Sequence, residues 1–174
     1  MSQQSGMLTR GNRSLYTPEE RRRRDASPWT LVQGILAPLQ FLVFIVSAYL
    51  VLRFLYTGVG LTEATLSVVL KTLVLYTIMI TGSLWEKDVF GRYLFAPAFY
   101  WEDMVSMLVI ALHTAYLFAL LSGWLDARQQ MLLALAAYAS YVVNAAQFVF
   151  KLRAARLQQR ESSVPAGAAL GLRE

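Results

Sequence analysis

The sequence predicts an all-α integral membrane protein, a four-helix bundle with both termini cytoplasmic. Three observations carry this. Of the 174 residues, 56% are apolar and 16% are charged, against about 25% charged in an ordinary soluble domain. The apolar residues come in long blocks, whereas a soluble helix confines them to one stripe. Lys and Arg avoid those blocks and collect on one side of them.

Residues 1–27 are polar, carry six arginines and read as a disordered or surface-lying arm. Ser27-Pro28 is a helix-start signal, with Ser at the N-cap and Pro at the first helical position. The first span follows at about 29–55. It is too long for a signal-peptide core and no A-x-A site follows it, so it is expected to stay uncleaved. The second span is expected at about 64–84, with Thr62 as N-cap and Glu63 as a first-turn acid. The third covers about 101–121. The fourth covers about 129–150, behind Asp126 and Gln129 spaced as a capping box. Each is long enough for the roughly 20 residues a crossing needs. Residues 28–155 therefore form the membrane domain, and 156–174 form a cytoplasmic tail.

Orientation follows from charge. Arg10, Arg13, Arg21, Arg22, Arg23 and Arg24, then Lys87 and Arg92, then Lys151, Arg153, Arg156, Arg160 and Arg173 all fall on one side. Only Arg53 and Arg128 fall on the other. The positive-inside rule puts the first group in the cytoplasm. The Arg21–Arg24 run also suggests nucleic acid. A basic run just before an apolar span is ordinarily the orientation signal, so no nucleic-acid partner is expected. The short links at 56–62 and 122–128 make spans 1–2 and 3–4 antiparallel neighbours. The 83–100 connection alternates aromatics with charges. It reads either as an interfacial segment or as the lip of a pocket.

Missing residue types constrain the chemistry. There is no cysteine and one histidine, His113. Thiol nucleophiles, iron–sulfur clusters, a bis-histidine haem within one chain and His-rich di-iron sites are thereby excluded, and no protein metal site is expected. An oxygen placed on a substrate would come from water rather than from O2.

Polar groups in lipid need a reason. Gln33, Gln40 and Ser47 share a face of span 1, as interhelical hydrogen-bonders or substrate contacts. Pro38 between them is expected to kink the helix. Lys71 lies too deep to snorkel, so it is either paired within the bundle or faces a wet cavity. In span 3, Glu102, Ser106, Val109 and His113 fall within about 40° of one helical direction, with Asp103 on the adjoining face. The acids could serve only the helix start, and His113 could be a satisfied bundle histidine. Glu86 and Asp88 would face Glu102 and Asp103 across the hairpin, inside a rim of Trp85, Phe90, Tyr93, Phe95, Phe99, Tyr100 and Trp101. Acids clustered at an apolar boundary favour a retained proton, hence a general acid. The aromatics suit a flat conjugated ligand. Tyr141, Asn144 and Gln147 of span 4 could bond the pocket or Lys71. The candidate catalytic residues are Glu86, Glu102, Asp103 and His113. The candidate substrate contacts are Lys71, Trp85, Tyr93, Trp101, Tyr116 and Asn144.

Two strings carry a resemblance: L-Y-T-P-E-E-R-R-R-R-D-A-S-P-W-T-L-V-Q-G-I-L-A-P-L-Q-F-L-V-F (15–44), and K-T-L-V-L-Y-T-I-M-I-T-G-S-L-W-E-K-D-V-F-G-R-Y-L-F-A-P-A-F-Y-W-E-D-M-V-S-M-L-V-I-A-L-H-T-A-Y-L (71–117). They resemble the 3-vinyl (older name 2-vinyl) bacteriochlorophyllide hydratases over about residues 15–155. The resemblance implies water addition to the C3 vinyl group of a chlorophyllide-type macrocycle, giving a 1-hydroxyethyl group in bacteriochlorophyll synthesis. It implies water as co-substrate, no redox cofactor, magnesium only as part of the substrate, and a bacterial inner or intracytoplasmic photosynthetic membrane. It transfers no residue roles. On the residues alone, a carboxyl of Glu86 or Glu102 would protonate the terminal vinyl carbon, and His113 or Asp103 would take a proton from the attacking water. Glu102 and His113 lie about 16 Å apart along one helix, so the rim acids carry the proton. His113 would act separately, on the substrate's magnesium or on a substituent. A non-catalytic tetrapyrrole-binding or photosystem-assembly protein would use the same features, and a proton-coupled exporter built on Lys71 and Glu102 is a third reading. A bundle this small often pairs, so a second copy or other pigment-synthesis enzymes are expected partners besides lipid and pigment.

Overall fold

A computed structural model describes residues 15–162, with side chains through Leu157. The expectations for the first 14 residues and for 163–174, including Arg10, Arg13 and Arg173, lie outside the described residues, as does the Arg160 side chain. The described chain is all-helical: α1 (Pro18–Ala26), α2 (Pro28–Thr57), α3 (Leu61–Phe90), α4 (Tyr100–Ser122) and α5 (Ala127–Ser162). Four helices are long and apolar enough to cross a membrane: α2, α3, α4 and the Ala127–Leu157 stretch of α5. The 30 residues of α2 and of α3 rise about 45 Å each at 1.5 Å per residue.

Local chemistry sets the helix ends. In α1, the Thr17 hydroxyl accepts from Glu20 N (3.2 Å), and Glu20 Oε2 accepts from Thr17 N (2.7 Å). This capping box makes a helix of a segment whose polarity alone suggested an irregular arm. Ser27 is the N-cap of α2, yet its hydroxyl donates to Asp88 Oδ2 of α3 (2.8 Å) rather than capping the helix. The N-cap of α3 is Gly60, not Thr62, which is the second residue of the helix. Asp126 and Gln129 form the expected reciprocal box ahead of α5 (2.9 and 3.0 Å). The helix of α2 continues through Pro38.

α2 packs most extensively on α3, and α4 on α5, so the two hairpins are antiparallel pairs. The register is visible in cross-helix bonds. Gln33 Nε2 donates to Thr81 Oγ1 (2.7 Å), the Ser47 and Ser67 hydroxyls pair at 2.7 Å, and those of Tyr76 and Thr114 pair at 2.7 Å. The starts of α2 and α4 and the ends of α3 and α5 thus meet at one end, here the terminal end. α1 lies against α3 there. Polarity is distributed as lipid demands. Large apolar side chains such as Leu31, Ile35, Leu42, Ile80, Phe118 and Val143 are exposed, while Gln40, Ser47, Lys71, Thr72 and His113 are buried. Gln33 and Ser47 serve as interhelical hydrogen-bonders.

Ser47 shares its hydroxyl between Ser67 of α3 and Tyr138 of α5, so it ties the two hairpins together. Ser47→Ala is expected to cost about 1 kcal/mol, the usual size for such a bond between membrane helices. Unfolding in mixed micelles measures this, and unchanged stability would show the contact to be idle.

Candidate active site

The terminal end gathers acids from two helices. Glu86 sits one turn before the end of α3, and Glu102 and Asp103 open α4. The sequence placed Glu86 and Asp88 in a long 83–100 connection. Instead α3 runs unbroken to Phe90 and stops at Gly91, whose φ of 77° suits a residue without a Cβ. The connection is therefore only residues 91–99.

That shorter loop is anchored by the acids. Asp103 Oδ2 accepts from Phe95 N (2.7 Å), and Glu86 Oε2 accepts from Ala96 N (3.2 Å). Phe95 adopts φ 59°, unusual for a residue with a side chain. Holding it there costs about 1–3 kcal/mol, offset by two hydrogen bonds to carboxyl groups. Glu86 and Asp103 are both buried, and their carboxyls face each other within hydrogen-bond reach. Two carboxyl oxygens in that arrangement need one proton between them.

Glu102 is separate from this pair. Its Oε2 accepts from Lys151 Nζ of α5 at 2.6 Å, and the same ammonium lies 4.9 Å from the centre of the Phe99 ring. Asn144 Nδ2 donates to Glu102 O (2.9 Å) and Ser106 Oγ (3.0 Å), fixing α5 on α4 beside the acids. Asp88, expected with the other acids, is taken by Ser27.

The aromatic rim divides in two. Trp85, Phe90 and Phe99 pack edge to face and cover the acid end, with Tyr16 stacked on Phe90 and Phe148 on Phe99. Trp85 Nε1 also donates to Thr30 Oγ1 (2.9 Å). By contrast, Trp101 is 71% exposed and Tyr93 56% exposed, the latter with Lys87 against its ring. These two do not line the acids. Turning both Glu102 and Asp103 inward carries their neighbour Trp101 outward, at 100° per residue.

His113, Lys71 and Tyr116 also lie elsewhere. Glu102, Ser106, Val109 and His113 do share one buried face of α4, but His113 is eleven residues from Glu102, in the bundle interior. Its Nδ1 bonds Val109 O (2.8 Å), and its ring lies 5.9 Å from that of Tyr138. Lys71 is fully buried with Nζ 3.9 Å from the centre of the Tyr141 ring. Tyr116 is fully buried with its hydroxyl turned toward Thr65. A shallow groove of about 210 Å³ lies on the α2–α3 surface, lined by Leu42, Val43, Val46, Ser67 and Leu70, well away from the acids.

Sequence reasoning missed Lys151 and the two loop amides. Lys151 belonged to the expected tail because the fourth span was ended at residue 150. A signal was present: Tyr138, Tyr141, Asn144, Gln147 and Lys151 recur every three or four residues, one polar stripe running past that boundary. The amides of Phe95 and Ala96 carry no side-chain signal.

The fold and this end define a class: a four-span helical membrane protein holding a paired buried acid beneath an aromatic cover. The chain belongs to the 2-vinyl bacteriochlorophyllide hydratase family, whose profile it matches over residues 16–154. It is 68% identical over 146 residues to the 2-vinyl bacteriochlorophyllide hydratase of Rhodobacter capsulatus, covering 84% of this chain and 85% of that one. It is 65% identical over 146 residues to the protein of the same name from Cereibacter sphaeroides, covering 84% and 91%. No solved structure matches the chain.

Lys151→Met leaves Glu102 buried without its cation. The expected loss is about 1–3 kcal/mol, below the figure for a fully buried pair because Lys151 keeps some contact with solvent. Adding Glu102→Gln recovers most of it. Thermal unfolding in detergent checks both, and additive losses would contradict the pairing.

Proposed function

We propose that this chain hydrates the vinyl substituent of a bacteriochlorophyllide-type macrocycle to a 1-hydroxyethyl group, as a hydro-lyase of bacteriochlorophyll synthesis. Its close likeness to two proteins named for that activity supports this. The observation that carries the chemistry is the buried Glu86–Asp103 pair. The reaction is redox-neutral, R–CH=CH2 plus H2O giving R–CH(OH)–CH3, so it calls for no electron carrier.

The shared proton of the pair passes to the terminal vinyl carbon. The π electrons form the new C–H bond, and the cation is left on the carbon attached to the macrocycle, where conjugation spreads it. The carboxylate of Glu102, held by Lys151, stabilises that charge from nearby. Water adds to the cation, and its proton returns to the emptied pair, with Glu86 as acid and Asp103 as base. This narrows the candidate catalytic set: Glu102 acts electrostatically, and His113 is too remote to touch the same vinyl group. Because the pair is buried, the macrocycle edge reaches it only when the 91–99 loop and Tyr16 move aside. The substrate's magnesium arrives with the macrocycle.

The lipid-facing helices make this a membrane protein, and we place it in the bacterial inner membrane with the terminal end cytoplasmic. The cysteine-free sequence permits a direct check. Trp124→Cys should react with an impermeant maleimide on intact cells whose outer membrane has been permeabilised, and Arg92→Cys only in inside-out vesicles. The reverse pattern would invert the topology.

Glu86→Gln and Asp103→Asn should each slow conversion of vinyl to hydroxyethyl pigment by about 10²–10⁴-fold, the range for losing a general acid or base. His113→Ala should lose less than either. In H2¹⁸O the new hydroxyl should carry the label. Normal rates in both acid variants would remove the site assignment. An unlabelled hydroxyl would defeat the hydratase reading, and vinyl pigment returned unchanged would identify a carrier.

A further inference from the structure

The first helix is attached to the bundle by its two ends. None of the nine residues of α1 is buried, so no apolar stripe docks it. Ahead of it, Tyr16 is buried, stacked on Phe90 with ring centres 5.9 Å apart and lying 6.4 Å from Phe99. The guanidinium of Arg24 lies 4.9 Å from the centre of the Tyr16 ring on the α1 side, so the ring is held between the helix and the aromatic cover. Behind α1, the Ser27 hydroxyl donates to Asp88 Oδ2 of α3 at 2.8 Å. Between these ends, Arg23 Nη1 makes one long bond to Val89 O (3.4 Å). An element held by few contacts of this kind belongs to the part of a structure that opens first.

Ser27 is both the C-cap of α1 and the N-cap of α2, a single extended residue (φ −75°, ψ 127°) between two helices. A serine there, followed by a proline, ordinarily turns its hydroxyl back to accept from the second or third amide of the helix it starts. Ser27 makes no such bond, and its hydroxyl is given to Asp88 instead. The cap left unused and the bond made in its place are of similar strength. One hydroxyl with two alternative engagements is a two-state joint. Among the described residues one side-chain bond also crosses it, from Thr30 Oγ1 to Arg24 O (2.6 Å), and a swing of α1 breaks that bond too.

We propose that α1 is a hinged strap over the acid end, with Ser27 as its joint and the Ser27–Asp88 bond as its latch. It opens when the Ser27 hydroxyl leaves Asp88 and caps α2. Nine helical residues span about 14 Å, so a turn at Ser27 carries Tyr16 well clear of Phe90 and Phe99. Those rings and the loop beneath them then stand open to the macrocycle. The role as a door rests on Glu86 and Asp103 being the reacting pair; the joint itself does not.

The cysteine-free chain allows a test without pigment. Val89 is fully buried and clusters with Tyr16. Val89→Cys in the detergent-solubilised full chain should react slowly with a maleimide, at a rate set by opening of the strap. Asp88→Ala removes the latch and keeps the cap, so it should speed labelling by about fivefold or more. Ser27→Ala removes both and should speed it less. Adding Ser27→Ala to Asp88→Ala should slow labelling back to the Ser27→Ala rate. Val68→Cys, fully buried in the bundle interior, should be unaffected throughout. Where Val89→Cys does not fold, Ala98→Cys, packed against the same cluster, takes its place. In turnover, Asp88→Ala should lower KM for the vinyl pigment by the factor seen in labelling and leave kcat unchanged, because more of the protein is open to substrate. Equal labelling in native and Asp88→Ala chains would overturn the latch, and additive effects of the two substitutions would overturn the joint. The stated order of labelling with an unmoved KM would overturn the door. Normal turnover in Glu86→Gln and Asp103→Asn would instead strike the acid-pair reading, whatever the labelling showed.

Discussion

Two carboxyl groups brought face to face inside an apolar helix end form the constraint around which this structure is arranged. Glu86 and Asp103 come from different helices, so their meeting sets the end of α3 against the start of α4. It also fixes the loop between them, whose Phe95 and Ala96 amides bond one acid each. The left-handed Phe95 is held by those bonds and by the aromatic packing above them. Pairing also lowers the cost of burial, because one proton shared by two acids leaves a single charge where there could be two.

The third acid shows the same principle solved differently. Glu102 is adjacent to Asp103 in sequence yet has its own cation, Lys151, and its backbone carbonyl accepts from Asn144. Two neighbouring acids of one helix thus find different partners, Asp103 a second carboxyl and Glu102 an ammonium. Lys151 thereby ties the end of α5 to the start of α4. Further along, α5 places Tyr141 under the buried Lys71 and Tyr138 beside His113. One face of one helix thus serves both polar zones, while its opposite face is left to lipid.

Much of this was legible in the sequence because bilayers enforce simple rules. Block length gave four crossings, and Asp126-x-x-Gln129 gave the start of the last one. The placing of Glu102, Ser106, Val109 and His113 on one buried face followed from helical spacing alone. The failures have equally physical causes. Charged residues at 86–88 suggested that α3 had left the membrane, but a helix continues past the apolar core wherever its acids find partners, here Ser27, Asp103 and a loop amide. Aromatics taken by position alone form a rim, while helical rotation sends Trp101 outward. Thr17-x-x-Glu20 has the spacing of a capping box, a signal absent from a reading of residues 1–27 by polarity alone. Backbone amides as anchors for acids leave no trace in side-chain identity.

The shared proton is most directly tested by infrared spectroscopy of the membrane-embedded protein at neutral pH. A protonated carboxyl has a carbonyl stretch distinct from that of a carboxylate, and the band moves on exchange into D2O. In the native chain one such band should be present, and it should shift or vanish in both Glu86→Gln and Asp103→Asn, since the proton belongs to the pair. Its absence from the native protein, or its survival unaltered in both variants, would contradict the paired acid and the chemistry assigned to it.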